Sequence, residues 1–333
     1  MKFKIFFIYT FLFALEPVFA ADDALEMQEE IIIDKNFKYI IKPFPAPIQL
    51  GITIDDLPAA GPEVKFMSRE EVSEKIIKAL TDKKVPEVYG FVNGILLYQN
   101  ELQTKILKDW KSKGFLLGNH TFSHFDLKKV SSQEFIQDIE RNESILLDYV
   151  QTIPELKIFR FPYLMEGNTT EKRYDIRSYF SKRNYIIAQV TVDSEDWIYN
   201  DVFIRCKNGN FEKETNELIE NYLVHIFHVL TYSDKLGHFI YGSNRKFSHI
   251  LLLHYNPLNA VIMPQLIDKF KQNNVKLVSA KSAILDPIYQ EDFPQPMKLG
   301  IPFFEQMRRA RKLPFKEYPF PYLNNSWLNS VCK

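Results

Sequence analysis

The chain has 333 residues, of which 46% are hydrophobic, so it is long enough to form one large domain or two ordinary domains around a sizeable core. Its 42 basic and 42 acidic residues give a formal net charge of zero. A neutral chain offers no electrostatic case for binding nucleic acid or an anionic membrane, so we predict neither as a partner. No pattern in the sequence indicates an oligomeric state.

The first twenty residues have the pattern of a secretory signal peptide. Two lysines lie within residues 2–4, residues 5–15 are apolar, and residues 18–20 carry small side chains at the positions that a signal peptidase reads. This apolar run is too short to span a bilayer, which needs about 20 residues. We therefore predict cleavage before Ala21 and a mature protein that is periplasmic or extracellular and has no transmembrane segment. An uncleaved anchor is the alternative.

Apolar runs alternate with helical patterns along most of the chain. Ser68 with Glu71, and Ser131 with Glu134, form capping boxes that predict the starts of two helices. A third helix is predicted near 101–111. The predicted strands are 48–54, 88–92, 115–117, 157–161, 185–192, 250–254 and 275–278. Strands separated by helices favour parallel βαβ units. We therefore predict an α/β fold, a distorted (β/α) barrel of about seven parallel strands.

The barrel pattern occupies residues 48–290 and defines the predicted catalytic domain. Residues 21–47 form an N-terminal extension. The segment 198–248 is long, carries its own helical pattern near 216–230, and is interpreted as an insertion over one side of the site. The tail 291–333 is rich in proline and aromatic residues, so we expect it to wrap the surface.

The chain has two cysteines, Cys206 and Cys332. An exported chain with an even cysteine count permits one disulfide between them, and two unpaired thiols are the alternative. Their spacing does not indicate cysteine ligation of a metal.

Polar side chains directly follow five of the predicted strands. In such barrels the reactive groups lie at the carboxyl ends of the strands, so these residues are expected to face one common mouth. They are Asp55 and Asp56, His120 and His124, Arg160 and Tyr163, Asp193 with Asp196 and Trp197, and His254.

Two histidines and a carboxylate are a common ligand set for a divalent metal that keeps positions open for water and substrate. His120 and His124 have the spacing of the helical zinc-protease motif, but Thr121 stands where that motif needs glutamate. The adjacent Asp55 and Asp56 should point to different sides because side chains alternate along a strand. One could then bind metal while the other faces a bound water. Surface or capping histidines, and a turn before Pro58, are the alternative readings.

A bound metal lowers the pKa of its water from about 15.7 towards roughly 7, so that a nearby carboxylate needs only to remove the remaining proton. His254 can protonate a leaving group, with Asp196 keeping the imidazole charged and oriented. Arg160 could hold the base ionised. These residue types together indicate metal-assisted hydrolysis of an amide or an ester.

The ordered motifs TIDDLP, GNHTFSH, RFPY, VDSEDW and LLLH resemble the polysaccharide deacetylase family of carbohydrate esterases, which includes the chitin and peptidoglycan deacetylases. The resemblance covers roughly residues 48–287. It implies a distorted (β/α) barrel and removal of N-acetyl groups from N-acetylglucosamine polymers. It also implies one divalent metal, usually zinc, and the two-histidine, one-carboxylate ligand set suits Co²⁺, Ni²⁺ or Fe²⁺ as well.

Carried over by motif, the resemblance implies a metal site made of Asp56, His120 and His124. Asp55 matches the catalytic base, and Arg160 matches the residue that orients it.

The later motifs match the remaining roles. His254 corresponds to the catalytic acid and Asp196 to its supporting carboxylate. Trp197 corresponds to a pocket-lining residue, and Tyr163 lies where a backbone N–H helps to bind the oxyanion.

The chain departs from the usual family pattern at Leu57, Leu164 and Tyr255, where Gly, Gly and Asp are common. None of these positions is a proposed ligand or proton donor, so the departures concern the shape of the pocket. The predicted function is deacetylation of peptidoglycan or a chitin-like polysaccharide. An O-acetyl esterase, a small-molecule amidase and a sugar-binding module without catalysis are the alternatives.

Overall fold

The computed structural model describes residues 41–150 and 152–333. The predicted signal peptide and most of the N-terminal extension lie outside these residues. In the described part of the chain, eight parallel strands form one sheet. They are β1 (Ile48–Leu57), β2 (Tyr89–Val92), β3 (Leu116–Asn119), β4 (Ile158–Phe159), β5 (Ile186–Ile187), β6 (Val192–Asp193), β7 (Ser248–His254) and β8 (Val275–Val278).

Helices occupy most of the connections between these strands. They are α1 (Arg69–Asp82), α2 (Glu101–Ser112), α3 (Ser132–Leu146), α4 (Ile153–Leu156), α5 (Thr170–Arg183), α6 (Asp196–Asn208), α7 (Glu212–Tyr241), α8 (Pro257–Gln272), α9 (Ala280–Ile284), α10 (Phe303–Ala310) and α11 (Asn325–Ser330). The two predicted capping boxes begin α1 and α3, and in both of them the serine and the glutamate bond each other's backbone N–H. None of the described helices is long and apolar enough to cross a membrane.

The sheet is curled into a barrel whose two edges lie near each other. The strand order is β5-β4-β3-β2-β1-β7-β6, and β8 pairs with the first half of β1. Residues 188–191 connect the edge strands β5 and β6, and this connection can span at most about 17 Å. A flat sheet of seven strands would separate these edges by about 29 Å. The short connection therefore requires the curl, and the predicted distorted (β/α) barrel is confirmed.

The prediction of one strand over 185–192 is wrong, because this run forms β5 and β6 on opposite edges of the sheet. Ala188 donates its backbone N–H to Phe159 on β4, whereas Thr191 donates to Ile250 on β7. The run 185–192 thus passes from one edge of the sheet to the other, at the place where the barrel closes. Hydrophobic pattern alone does not show where a strand changes neighbours.

The central strand β1 sets the position of the site. Its pairing with β7 runs in register from Gln49 opposite Ser248 to Asp55 opposite His254. Most of β1 is buried, as expected for a strand covered on both faces. The two strands therefore end side by side and present a carboxylate and an imidazole at the same edge of the barrel.

The segment 198–248 is not an excursion over the site. Its helices α6 and α7 form the crossover from β6 to β7, and α7 contributes Leu218, Leu223, Ile226 and Leu230 to the main hydrophobic core. The prediction missed this crossover because it is longer than the other connections between strands. The helical pattern at 216–230 proves to be the middle of a 30-residue helix.

The tail is also more than a surface wrap. Phe303, Phe304 and Met307 on α10 are buried in a second hydrophobic cluster, beside Leu236 of α7. A disulfide joins Cys206 on α6 to Cys332, just beyond α11. The end of the chain is thereby fixed to the crossover between β6 and β7.

Candidate metal centre and active site

The structure brings together Asp56, His120 and His124 at the carboxyl ends of β1 and β3. The carboxylate oxygen Oδ1 of Asp56 lies 3.6 Å from Nε2 of His120 and 3.5 Å from Nε2 of His124. All three ligand atoms lie within 4.8 Å of one another. This is the arrangement of a two-histidine, one-carboxylate metal site with open positions.

The protonation states of the two histidines suit coordination of a divalent metal. Burial lowers the pKa of both His120 and His124, which favours the neutral imidazole that can coordinate. The Nδ1 atom of His120 lies 2.8 Å from the carbonyl oxygen of Arg160, which orients Nε2 towards the site. Oδ1 of Asp56 is buried and has no hydrogen-bond partner among the described residues. A buried carboxylate oxygen without a donor is a position that a cation would satisfy.

Left-handed backbone conformations direct two of these ligands. Asp56 has φ 61° and His124 has φ 55°, and Thr121 between the two histidines has φ 63°. Residues other than glycine adopt such values at a cost, and they concentrate at functional sites. The pleat of β1 is interrupted here, with a shift in its pairing to β2 between Ile54 and Leu57.

This interruption corrects the prediction that Asp55 and Asp56 point to different sides. Oδ2 of Asp55 lies 3.7 Å from Nε2 of His120, and Oδ1 of Asp56 lies 3.6 Å from the same atom. Both carboxylates therefore face His120. Simple alternation fails because the pleat of β1 is interrupted at Asp56, whose φ is positive.

Asp55 is held by Arg160 in a buried pair. Nη1 of Arg160 lies 3.3 Å from both carboxylate oxygens of Asp55, Nη2 donates to Oγ1 of Thr53, and Nε donates to the carbonyl of Ala188. Burial raises the pKa of Asp55 to about 7, against the opposing charge of Arg160. A carboxylate with this pKa can accept a proton near neutral pH.

His254 is paired with the fully buried Asp196. Nδ1 of His254 lies 2.6 Å from Oδ1 of Asp196, and the backbone N–H of His254 donates to Oδ2 at 2.7 Å. Burial lowers the pKa of His254, but the carboxylate of Asp196 outweighs it and raises the pKa to about 10. The imidazole is therefore charged at neutral pH and can donate a proton from Nε2.

Sequence reasoning missed two asparagines behind this pair. Nδ2 of Asn256 donates to Oδ2 of Asp196 at 2.9 Å, and Nδ2 of Asn259 donates to the same oxygen and also to the carbonyl of His254. Asn256 is also the N-cap of α8. The signal was the stretch YNPLN directly after β7, in which polar residues follow a strand end. These donors help to keep Asp196 ionised although it is buried.

The two predicted substrate-binding residues are exposed. The ring of Tyr163 lies 4.6 Å from the ring of His124 and is 60% exposed, while Trp197 is 48% exposed on the first turn of α6. Exposed aromatic rings beside a polar site suit the apolar face of a sugar. The predicted role of the Tyr163 backbone N–H at the oxyanion stays a prediction.

Part of the chain is similar to known proteins. Residues 45–179 match the family model named polysaccharide deacetylase. A Bacillus cereus peptidoglycan-N-acetylglucosamine deacetylase is 30% identical over 150 residues, which is 45% of this chain and 46% of that protein. The chain thus spans about half the length of this curated relative.

Similar solved structures include the chitin deacetylase of Colletotrichum lindemuthianum, with 20% identity and a TM-score of 0.48 over 78% of this chain and 96% of that one. Another is a family 4 carbohydrate esterase pseudoenzyme from Bacillus anthracis, with 16% identity and a TM-score of 0.48 over 78% and 71% of the two chains. The matched segment 45–179 contains the first three motifs of the site and ends before VDSEDW and LLLH. Over residues 45–179 the chain is similar to the polysaccharide deacetylase family.

Proposed function

We propose that the protein removes N-acetyl groups from an N-acetylglucosamine-containing polysaccharide, either peptidoglycan or a chitin-like polymer. The observation that carries this proposal is the pairing of Asp55 with His254 at the ends of adjacent strands. Arg160 supports the first residue and Asp196 supports the second. Asp55, which can accept a proton, and His254, which can donate one, therefore face the same mouth of the barrel.

We assign the metal to Asp56, His120 and His124, with zinc as the proposed ion. Such an ion, when bound, would polarise the acetyl carbonyl and lower the pKa of a coordinated water. Asp55 lies against the same histidine and would accept the proton of the attacking water. Arg160 donates to both oxygens of Asp55 and so fixes the orientation of this base.

His254 would protonate the leaving nitrogen of the sugar. Its Nδ1 is engaged by Asp196, so Nε2 carries the proton that can be transferred. An amine leaves as a neutral group only if it is protonated, whereas an alcohol leaves from an ester with less assistance. His254, held by Asp196, is therefore placed to supply the proton that an amide leaving group needs.

Tyr163, whose ring lies beside His124, and the exposed Trp197 would contact the sugar. We also propose that the protein acts outside the cytoplasm, on the basis of the predicted signal peptide at residues 1–20. The relative named as a peptidoglycan deacetylase supports a substrate of the cell wall.

The test is acetate release by the purified mature protein from N-acetylglucosamine oligomers and from peptidoglycan. The measurement is made as purified, after treatment with a chelator, and after zinc or cobalt is added back. Release that the chelator abolishes and metal restores supports the proposal. No release from any of these substrates by protein with one bound metal ion would contradict it.

A further inference from the structure

The crossover helix α7 places a buried histidine directly behind the VDSEDW motif. His225 lies near the middle of α7 and is 7% exposed. Its Nε2 atom lies 3.1 Å from Oε2 of Glu195, the residue immediately before Asp196. None of the roles described above uses His225.

Glu195 adopts a backbone conformation that its surroundings must maintain. Its φ is 51°, in the left-handed region, and it is the N-cap of α6. Residues other than glycine adopt such a conformation at a cost in free energy, so neighbouring contacts must stabilise it. The backbone N–H of Glu195 donates to Oδ1 of Asp193, and its carbonyl accepts from the N–H of Ile198. The side chain of Glu195 is directed to His225 on another helix.

The residues that follow Glu195 depend on this turn for their positions. Asp196 and Trp197 form the first turn of α6, and Asp196 makes the 2.6 Å contact with Nδ1 of His254. A hydrogen bond this short is sensitive to small displacements of either partner. A shift of the turn at Glu195 would therefore be transmitted directly to the pair that controls the proton on His254.

A second contact joins the same faces of α6 and α7. The ring of Tyr199 on α6 lies 4.8 Å from the ring of Tyr222 and 5.6 Å from the ring of His225. Tyr222 and His225 are three residues apart and so lie on one face of α7. This face of α7 holds the start of α6 through packing as well as through the contact to Glu195.

A metal-ligating role for His225 is not indicated. Among the described residues, the cluster of ligand atoms within 4.8 Å of one another is Asp56 with His120 and His124, which does not include His225. His225 contacts the single carboxylate of Glu195. The contact with His225 therefore serves to hold the side chain of Glu195 in position.

We propose that His225 is a positioning residue that acts through Glu195 to place Asp196 and Trp197 in the active site. The inference deepens the proposed deacetylase function and rests on it. Helix α7 lies beyond the segment matched by the family model. In this role α7 supports the active site in addition to packing in the core.

The first experiment compares the variants His225→Ala and His225→Gln. Displacement of the Asp196 turn should lower kcat for acetate release about 10–100-fold in His225→Ala, with a smaller change in KM. A glutamine can place an amide N–H near the position of Nε2, so His225→Gln should recover most of that loss. His238→Ala is the matched control, since it removes a half-exposed histidine at the far end of the same helix and should keep the wild-type kcat. Wild-type kcat in His225→Ala would overturn the inference.

The second experiment is a double-mutant cycle with Glu195→Ala. If His225 acts through Glu195, Glu195→Ala should show a similar loss of kcat and the double variant should be no slower than the slower single variant. Independent effects that multiply would overturn the inference. Glu195 is partly exposed, so its variant also provides a test if His225→Ala does not fold.

The third measurement does not depend on activity. The emission of Trp197 is obtained as the difference between each protein and the same protein carrying Trp197→Phe. Its maximum and its quenching by acrylamide should change in His225→Ala and remain unchanged in His238→Ala. Unchanged Trp197 emission in His225→Ala would overturn the positioning role. A wild-type protein that releases no acetate would contradict the proposed function, and the emission would still decide whether His225 positions the turn.

Discussion

Nδ1 of His254 lies 2.6 Å from Oδ1 of Asp196, although Asp196 is completely buried. The carboxylate keeps its charge because His254, Asn256 and Asn259 all donate to it. Burial alone would lower the pKa of His254, but the charge and hydrogen bond of Asp196, together with the charges of Asp56 and Asp55, raise it. The proton-donating capacity of His254 is therefore a property of the pair.

The first prediction follows for Asp196→Asn. Without the carboxylate, burial governs His254 and its pKa falls, so less imidazolium is present at neutral pH. We expect kcat to fall about 10²–10⁴-fold, the range for loss of a general acid. The alkaline limb of the pH–kcat profile should move to lower pH. The control is Asp201→Asn, which changes an exposed carboxylate on the same helix and should leave the profile unchanged.

An Asp196→Asn variant with an unshifted alkaline limb would show that His254 does not supply this limb. The assignment of His254 as the acid would then have to be abandoned, whatever the size of the change in kcat.

The strand ends could be predicted from the sequence because the signals there are local. Apolar runs followed by DD, by HTFSH or by SEDW indicate the edge at which parallel strands present polar groups. The capping boxes at Ser68 and Ser131 are equally local, since the serine and its glutamate are three residues apart. These signals locate the site without any knowledge of tertiary contacts.

The details that were missed depend on contacts distant in sequence or on backbone conformation. The direction of Asp56 depends on its positive φ, which no side-chain pattern encodes. The break between β5 and β6 arises because one strand pairs with β4 and the other with β7. The contact between His225 and Glu195 joins residues 30 positions apart across two helices. Alternation and helical periodicity describe single elements and do not predict these contacts.

The second prediction separates the base from the metal ligands. Asp55→Asn keeps the size of the side chain and leaves Asp56, His120 and His124 in place. We expect about a 10²–10⁴-fold loss of kcat, the range for a general base, with one metal ion still bound per chain. Asp56→Ala should instead lower the bound metal, because it removes one of three proposed ligands. Metal content and kcat are measured on the same preparations, and near-full activity in metal-loaded Asp55→Asn would refute the assignment of the base.

The third prediction concerns the stability of the barrel in acid. Glu166 is buried and contacts Arg173, Arg177 and Gln189. Burial alone would raise its pKa, but the two arginines lower it from 4.5 to about 2. Since the pKa is lower in the folded state, the carboxylate stabilises the fold above pH 4.5 and this contribution is lost as the pH falls towards 2.

Glu166→Gln should therefore unfold at lower denaturant concentration than the wild type at pH 7. The gap between the two proteins should narrow between pH 4.5 and the lowest pH at which both still fold. The measurement is the free energy of unfolding from urea titrations at several pH values. The control is Glu171→Gln, which changes an exposed glutamate in the first turn of α5. A gap between Glu166→Gln and wild type that is constant with pH would contradict the lowered pKa.

The fourth prediction tests whether the tail supports the turn at Tyr163. A Cβ added at Gly300 would lie 1.7 Å from the carbonyl oxygen of Tyr163, so this backbone would have to move. Tyr163 and Leu164 both have positive φ, and the turn that they form carries the ring against His124. Gly300→Ala should therefore raise KM for the oligosaccharide and destabilise the protein by about 1–3 kcal/mol, the usual cost of overpacking. Lys298→Ala, an exposed neighbour, should change neither quantity. Wild-type KM and wild-type stability in Gly300→Ala would show that the tail yields freely and that Tyr163 is held by other contacts.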